Sequence, residues 1–292
     1  MSSVPTFVMM VGIAAAGKTT KAVALGSQYR YLSSDELREE LYGDINDQTH
    51  NQEVFAELHK RVRETLRRGE SVAYDATNLS IKDRRCIMSQ IERIPSYKVA
   101  YVFTTPADIC KTRNFLRERI VPEWVIDHQV KKFQFPLIGE GFDEILVEEP
   151  PPRTPLAPED LLVGFDQKNF HHPDSLFVHS AKVVELVKQN AIYDPVLTQA
   201  AWWHDVGKLW TQSFDDDGVA HYYSHENVGA YTLMSKGQNL EFFKEFITLV
   251  NYHMLPFNWG KDSTKEKYRK LMGNELFEKL LALHEADIKS TK

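Results

Sequence analysis

Cysteine is scarce in this chain, with only Cys86 and Cys110 among 292 residues. Two isolated thiols make no disulfide framework and fit a reducing compartment. Long apolar runs are missing too. None reaches the length that spans a bilayer, so no membrane partner is expected. The first residues carry neither the charged segment nor the apolar stretch of an export signal, and a cytoplasmic protein is expected. Positive charge is not in excess. A net charge of −6 excludes a surface that is basic all over, while a local basic groove for nucleic acid stays open. Internal repeats are lacking. What is present is 42% apolar and 26% charged residues, the balance of a globular chain long enough for about two cores.

The most informative stretch is Gly12-Ile13-Ala14-Ala15-Ala16-Gly17-Lys18-Thr19-Thr20, between the apolar run Phe7–Val11 and the helix-forming run Lys18–Leu25. Strand, Gly-x-x-x-x-Gly-Lys-Thr, then helix is the context of a phosphate-binding P-loop. Backbone N–H groups at a helix N-terminus are unpaired donors at the positive end of the helix dipole and attract phosphate. The nucleotide site is therefore read as Gly12, Ala15, Ala16, Gly17, Lys18, Thr19 and Thr20, with the N–H groups of residues 15 to 19 on the β-phosphate. Lys18 reaches the β- and γ-phosphates, and the Thr19 hydroxyl holds Mg²⁺. Three alanines stand where Gly, Pro or Ser often sit. If the loop needs a positive φ there, Ala15 is strained by about 1 kcal/mol.

Further on, Tyr31–Ser33 reads as a short strand, after which Ser34 or Asp35 caps a helix carrying Leu37 and Leu41. Asp35 and Arg38 then lie one turn apart at the C-terminal edge of a parallel sheet, where ligands bind. Spacing alone favours a plain N-cap for Asp35 and a solvated helix charge for Arg38. A helix over Asn51–Arg68 stops at Gly69. Ser71–Asp75 is a strand ending in an acid suited to Mg²⁺, followed by Ala76-Thr77-Asn78. Arg84 and Arg85 are expected on the surface. A strand over Lys98–Thr104 precedes a helix over Ala107–Arg119. On that helix Arg113 and Arg117 share a face, to clamp a triphosphate or to pair with Glu118 or Glu123. Phe142–Val147 is a last strand. Alternating strands and helices predict an α/β domain, a parallel sheet with helices on both faces.

Gly12…Lys18-Thr19, Ser34-Asp35…Arg38, Asp75-Ala76-Thr77-Asn78, Arg113-Asn114…Arg117 and Val121-Pro122 together resemble the phage-type polynucleotide 5′-hydroxyl kinases over about residues 5 to 148. The resemblance implies ATP or another nucleoside triphosphate with Mg²⁺ as cofactors. It implies Asp35 as the base that takes the 5′-OH proton, and Arg38 on the acceptor phosphate. Asp75 and Asn78 fall beside the substrate, and Arg113 and Arg117 in a lid over ATP. The family usually has Pro-Gly-Ser where this chain has Ala14-Ala15-Ala16.

Five prolines between Pro150 and Pro158 cannot continue a helix or a central strand. They suggest a linker over 150–158 between domains at 1–149 and 159–292. The second domain reads as all-α, with helices over Phe177–Gln189, Pro195–His204, Asn227–Met234, Glu241–His253 and Asn274–Ile288. It is rich in histidine. A lone histidine is more often a satisfied polar residue than a ligand, but adjacent His204-Asp205 at the end of an apolar helix can present imidazole and carboxylate to one metal. The order His179…His204-Asp205…His225…His253…Asp287 resembles the metal-dependent HD phosphohydrolase superfamily over about residues 165 to 290. The Gly-Ala after His225 favours it over His221. The resemblance implies those six residues as ligands of one or two ions among Mn, Fe, Co, Ni and Zn, and Lys208 on a phosphate oxygen or as a helix-end charge. Asn169–Pro173 would line the mouth of the site.

The two resemblances in one chain imply a bifunctional enzyme that heals nucleic-acid ends, RNA more than DNA. It would phosphorylate a 5′-OH, remove a 2′,3′-cyclic, 2′- or 3′-phosphate, and prepare ends for a ligase. The rivals are a nucleoside or other small-molecule kinase fused to a nucleotide phosphohydrolase, and an ATP-switched sensor.

Overall fold

The computed structural model describes residues 4–117, 119–149, 157–168, 174–235 and 243–291. The chain divides into two compact units, Met1–Gln129 with Pro136–Glu149, and Val130–Phe135 with Pro150–Lys292. Most of the proline-rich linker lies outside the described residues.

The first unit contains β1 (Thr6–Val11), α1 (Lys18–Ala24), β2 (Tyr29–Ser33), α2 (Ser34–Tyr42), α3 (Asn51–Arg67), β3 (Ser71–Asp75), α4 (Ile81–Ile91), β4 (Tyr97–Val102), α5 (Ala107–Asn114), α6 (Glu123–Lys131), whose last residues pass into the second unit, and β5 (Glu144–Val147). The strands pair in the order β2-β3-β1-β4-β5, all parallel. Phe7 to Val11 are buried along the whole of central β1, as expected where helices cover both faces of a parallel sheet. Crossover connections bring the ends of β1, β2 and β3 together at one edge.

Three local expectations change. The cap of α2 is Ser33, whose hydroxyl accepts the N–H groups of Asp35 and Glu36. Asp35 is therefore freed from the capping role. Helix α5 stops at Asn114 rather than running to Arg119. The buried Asn114 amide donates to the Val121 carbonyl at 2.8 Å and accepts the Val121 N–H at 3.1 Å. That side chain replaces helical partners and turns the chain. Arg113 and Arg117 consequently do not share a helical face. Arg84 is not on the surface. It is wholly buried and forks onto Glu140, with Nη2 to Oε1 at 2.7 Å and Nε to Oε2 at 2.9 Å. Its Nη1 donates to the carbonyls of Asn78 and Leu79, so the pair fixes the loop after β3.

The second unit contains α7 (Pro158–Leu162), α8 (Leu176–Lys188), α9 (Pro195–Trp203), α10 (Lys208–Thr211), α11 (His225–Ser235), α12 (Phe243–Tyr252), α13 (Asp262–Met272) and α14 (Asn274–Ser290). It is not purely helical, because β6 (Ser213–Phe214) and β7 (Ala220–His221) form a small antiparallel hairpin. The missed signal is Asp217-Gly218, a hairpin-turn pair. Gly218 adopts φ 76, and the Asp215 carboxylate accepts the N–H groups of Asp217 and Val219. Helix α13 was also unanticipated. Residues 130–135 pack into this unit: Asn251 bonds the Phe133 carbonyl and the Phe135 N–H, and the Tyr252 hydroxyl bonds the Phe135 carbonyl. Among the described residues no helix is long and apolar enough to cross a membrane.

Replacing Arg84 by Met strands the buried Glu140 carboxylate and should destabilise the first unit by about 3–5 kcal/mol. Chemical denaturation measures this, and adding Glu140→Leu should restore most of the loss.

Candidate active sites

The first site forms where β1 runs into α1. Gly12 lies so close to Phe103 that a Cβ would come within 3.0 Å of the Phe103 Cβ. The loop does need positive φ. Ala15 adopts φ 60 and Gly17 φ 104, so Ala15 carries a strain of about 1 kcal/mol that glycine would not. The Lys18 Nζ donates to the Ile13 carbonyl at 2.7 Å and the Thr105 hydroxyl to that of Ala16 at 2.9 Å. Of the N–H groups expected on phosphate, that of Ala16 donates to Ile13 at 3.3 Å. Burial lowers the Lys18 pKa; Asp75 opposes this and Arg117 adds to it.

Asp75, at the end of β3, accepts the Thr19 hydroxyl at 2.7 Å and the Tyr31 hydroxyl at 2.9 Å, both on Oδ2. Thr19 and Asp75 thus offer oxygen ligands side by side, which fits Mg²⁺. Tyr31 was not foreseen. Burial, and then Asp75, raises its pKa and keeps the phenol protonated as a donor. Asn78, at φ 50, turns its amide onto the carbonyls of Met10 and Ala76. Its N–H groups therefore hold the loop rather than reach out to substrate.

Asp35 Oδ1 receives two guanidinium groups, Arg38 at 2.8 Å and Arg119 at 2.5 Å. Arg119 lies outside the residues expected at this site; it meets Asp35 beyond the early end of α5 at Asn114. Arg38 is braced by Asn51 at 2.7 Å. The Nε donors of both arginines are buried and unpaired. Such cationic donors are costly to leave unmet, and an anion would satisfy both. Arg117 is half-buried and Arg113 exposed.

The second site gathers all six histidine and aspartate residues read as ligands. Asp205 lies between two imidazole pairs. Its Oδ2 is 3.4 Å from the Nε2 of both His179 and His204, while Oδ1 is 3.0 Å from His225 Nε2 and 3.5 Å from His253 Nε2. Asp287 Oδ1 closes the first half, 3.2 Å from His179 and 3.7 Å from His204. Each half could hold a metal ion. His221 stands apart, paired with Asp215 at 2.9 Å. Lys208 reaches Asp205 Oδ2 at 2.6 Å and the Gln167 amide oxygen at 2.8 Å.

The supporting bonds show why these imidazoles face inward. The Nδ1–H groups of His204, His225 and His253 donate to the carbonyls of Ala201, Tyr222 and Val250 at 2.9, 2.8 and 2.8 Å. That of His179 donates to the Ser290 hydroxyl at 3.1 Å. With Nδ1 engaged, each Nε2 must serve the centre. Within each pair the Nε2 atoms are 3.2 Å apart, a separation that calls for a proton or a cation between them. The mixed nitrogen and carboxylate donor set fits Mn, Fe, Co, Ni or Zn. Burial alone would lower the His204 pKa, but Asp205 and Asp287 outweigh it and raise it to about 10. His179 is raised against burial by the same carboxylates, whereas burial lowers His253. Burial would raise Asp205, but Lys208 and the imidazoles hold its carboxyl well below the usual range.

Gly207 makes this assembly possible. A Cβ there would lie 1.9 Å from the His225 carbonyl oxygen and 2.8 Å from the Gly229 nitrogen. Only glycine lets the turn after His204-Asp205 meet the start of α11. Residues 169–173, expected at the mouth of the site, lie outside the described residues.

Residues 7–136 match the AAA domain family. The match spans the P-loop and the first four strands of the first unit, as a P-loop kinase-like domain. No curated protein matches the chain. A chain of the Pnkp1/Rnl/Hen1 RNA repair complex is 19% identical, over 45% of this chain and 45% of that one, with a TM-score of 0.41. A kinase candidate of Chloroflexus aurantiacus is 17% identical, over 51% and 86%, with a TM-score of 0.42. A gluconokinase of Sinorhizobium meliloti 1021 is 16% identical, over 49% and 82%, with a TM-score of 0.35. The chain thus spans less than half the length of the repair-complex protein. With scores this low, the kinase-like reading of the first unit rests on the family match, the loop and the sheet.

Gly207→Ala should cost the second unit about 1–3 kcal/mol by overpacking and lower its metal content, read by thermal unfolding and elemental analysis. Because His204 keeps its proton below about pH 10, while a metal needs the neutral imidazole, metal uptake at pH 7 should release protons. Affinity should therefore fall as pH falls. Calorimetry in buffers of different ionisation enthalpy reads this, and a heat independent of buffer would exclude His204 as a ligand.

Proposed function

We propose that this chain heals nucleic-acid ends, RNA in preference to DNA, through two separate activities. The AAA domain transfers the γ-phosphoryl group of ATP to a 5′-hydroxyl. Lys18 lies on the transferred phosphate, and Thr19 and Asp75 would hold Mg²⁺, which would supply charge neutralisation there. Asp35 takes the proton of the attacking hydroxyl. Arg38 and Arg119 hold the acceptor phosphate next to that hydroxyl through the donors now unpaired, and Arg117 lies over the triphosphate with Arg113 outside it. Such a transfer needs positioning, charge neutralisation and a proton acceptor, and the site has a group for each.

The second unit, in the HD manner, removes a 2′,3′-cyclic, 2′- or 3′-phosphate. One or two transition-metal ions, when bound, lower the pKa of water and neutralise phosphate oxygens. His179, His204 and Asp287 would hold an ion in one half of the centre, His225 and His253 one in the other, and Asp205 would serve both. Lys208 neutralises a phosphate oxygen and keeps Asp205 ionised. Products with a 5′-phosphate and a free 3′-hydroxyl suit a ligase.

The observation that carries this reading is the pairing, in one chain, of the two-arginine Asp35 site with a carboxylate bridging two imidazole pairs. The test is a 5′-OH, 2′,3′-cyclic-phosphate RNA incubated with ATP, Mg²⁺ and each transition metal in turn. Both ends should be processed. Lys18→Ala should abolish 5′ labelling and spare 3′ processing, and His204→Ala with Asp205→Ala should do the reverse. Labelling of nucleosides but not oligonucleotides would select a small-molecule kinase instead.

A further inference from the structure

The hairpin supplies none of the six residues read as metal ligands, yet it runs straight into Tyr222, which bonds the His225 imidazole. Tyr222 folds inward. It accepts from Gln212 at 2.9 Å, lies under the Lys208 ammonium at 5.4 Å, and its carbonyl holds the His225 imidazole. Ser224, at φ 62, then reverses the backbone before His225. Between them Tyr223 is thrown outward and is 69% exposed. Its Cα can be no further than about 7.6 Å from that of His225, two peptide steps away.

Tyr223 is exposed but not loose. Its ring stacks on His221, with centroids 5.6 Å apart and planes 7° from parallel. His221 is held in turn by the Asp215 carboxylate at 2.9 Å. A fixed flat ring with one face covered and the other open is suited to a planar partner. Such a surface takes any nucleobase, because every base has a π-face. The hairpin turn next to it carries exposed Asp215, Asp216 and Asp217. Those charges repel a continuing phosphate backbone. The Lys208 ammonium, by contrast, lies on the Asp205 side of Tyr222.

We propose that the Tyr223–His221 stack is the nucleobase platform of the second site, so that the scissile phosphate is presented by a terminal nucleotide whose base lies on Tyr223. This rests on the phosphohydrolase reading above and narrows its substrates to base-bearing ends, with little preference among bases. Phosphoesters without a base would gain nothing from the platform.

The test compares the full chain with its Tyr223→Ala and Tyr223→Trp variants on adenosine 2′,3′-cyclic phosphate and on the base-free ribose cyclic phosphate. Tyr223→Ala should raise KM for the adenosine substrate about 5- to 150-fold and leave the base-free one unchanged, while Tyr223→Trp restores the wild-type value. An equal loss on both substrates, or no loss on either, overturns the platform while leaving the phosphohydrolase intact. If neither substrate is hydrolysed, that reading fails, and binding of adenosine 3′-monophosphate against ribose 3-phosphate decides the platform. A loss of adenosine affinity in Tyr223→Ala upholds it, and unchanged affinity overturns it.

Discussion

Asp205 is a buried carboxylate whose two oxygens face different imidazole pairs, with the Lys208 ammonium against one of them. A charge in that position is tolerable only if every neighbour is placed to compensate it. Much of the second unit is arranged around that requirement. The imidazoles come from α8, the end of α9, the start of α11 and the end of α12, and Asp287 comes from α14. Backbone carbonyls and the Ser290 hydroxyl take up the outer nitrogens, so the inner nitrogens converge. Gly207 removes the one side chain that would hold α11 away. Fold and centre are therefore one construction, and filling the centre with metal would replace protons with a cation in a cage already aligned.

The first unit rests on a different constraint. Its loop between β1 and α1 takes left-handed backbone at Ala15 and Gly17. Alanine bears the strain because the loop is held elsewhere, by Lys18 on Ile13, Thr105 on Ala16 and Gln129 on the Ala14 N–H. The loop after β3 is held in the same spirit by the buried Arg84–Glu140 pair and by Asn78. Asp75 is thereby kept beside Thr19. The side chains of this candidate site stand on strand ends and helix starts, and their supporting side chains lie behind them.

Much of both sites was legible along the chain because it is local. Glycine at fixed offsets, a lysine after the second glycine, and adjacent His204-Asp205 are patterns whose chemistry follows from spacing. Arg119 and Tyr31 were not legible. Arg119 meets Asp35 only because Asn114 ends α5 early, and that depends on a side-chain bond across seven residues. The burial of Arg84 is not legible either, because nothing near it in sequence announces Glu140, 56 residues away. The hairpin leaves no periodic trace in the sequence, because each of its strands has two residues, too few for any periodicity to register.

By itself, the sequence determined the alternating α/β character of the first half, the phosphate-binding loop, the helical character of the second half, and the residues able to bind metal. These follow from periodicity, turn chemistry and donor type, all of which act over a few neighbours. Only the tertiary structure decided that Asp205 stands between two imidazole pairs, that two arginines meet on Asp35, that Arg84 is buried, and that Tyr223 lies open beside His225. Those outcomes depend on burial and on distances between segments far apart in the chain, where packing and the need to pair every buried charge make the choice.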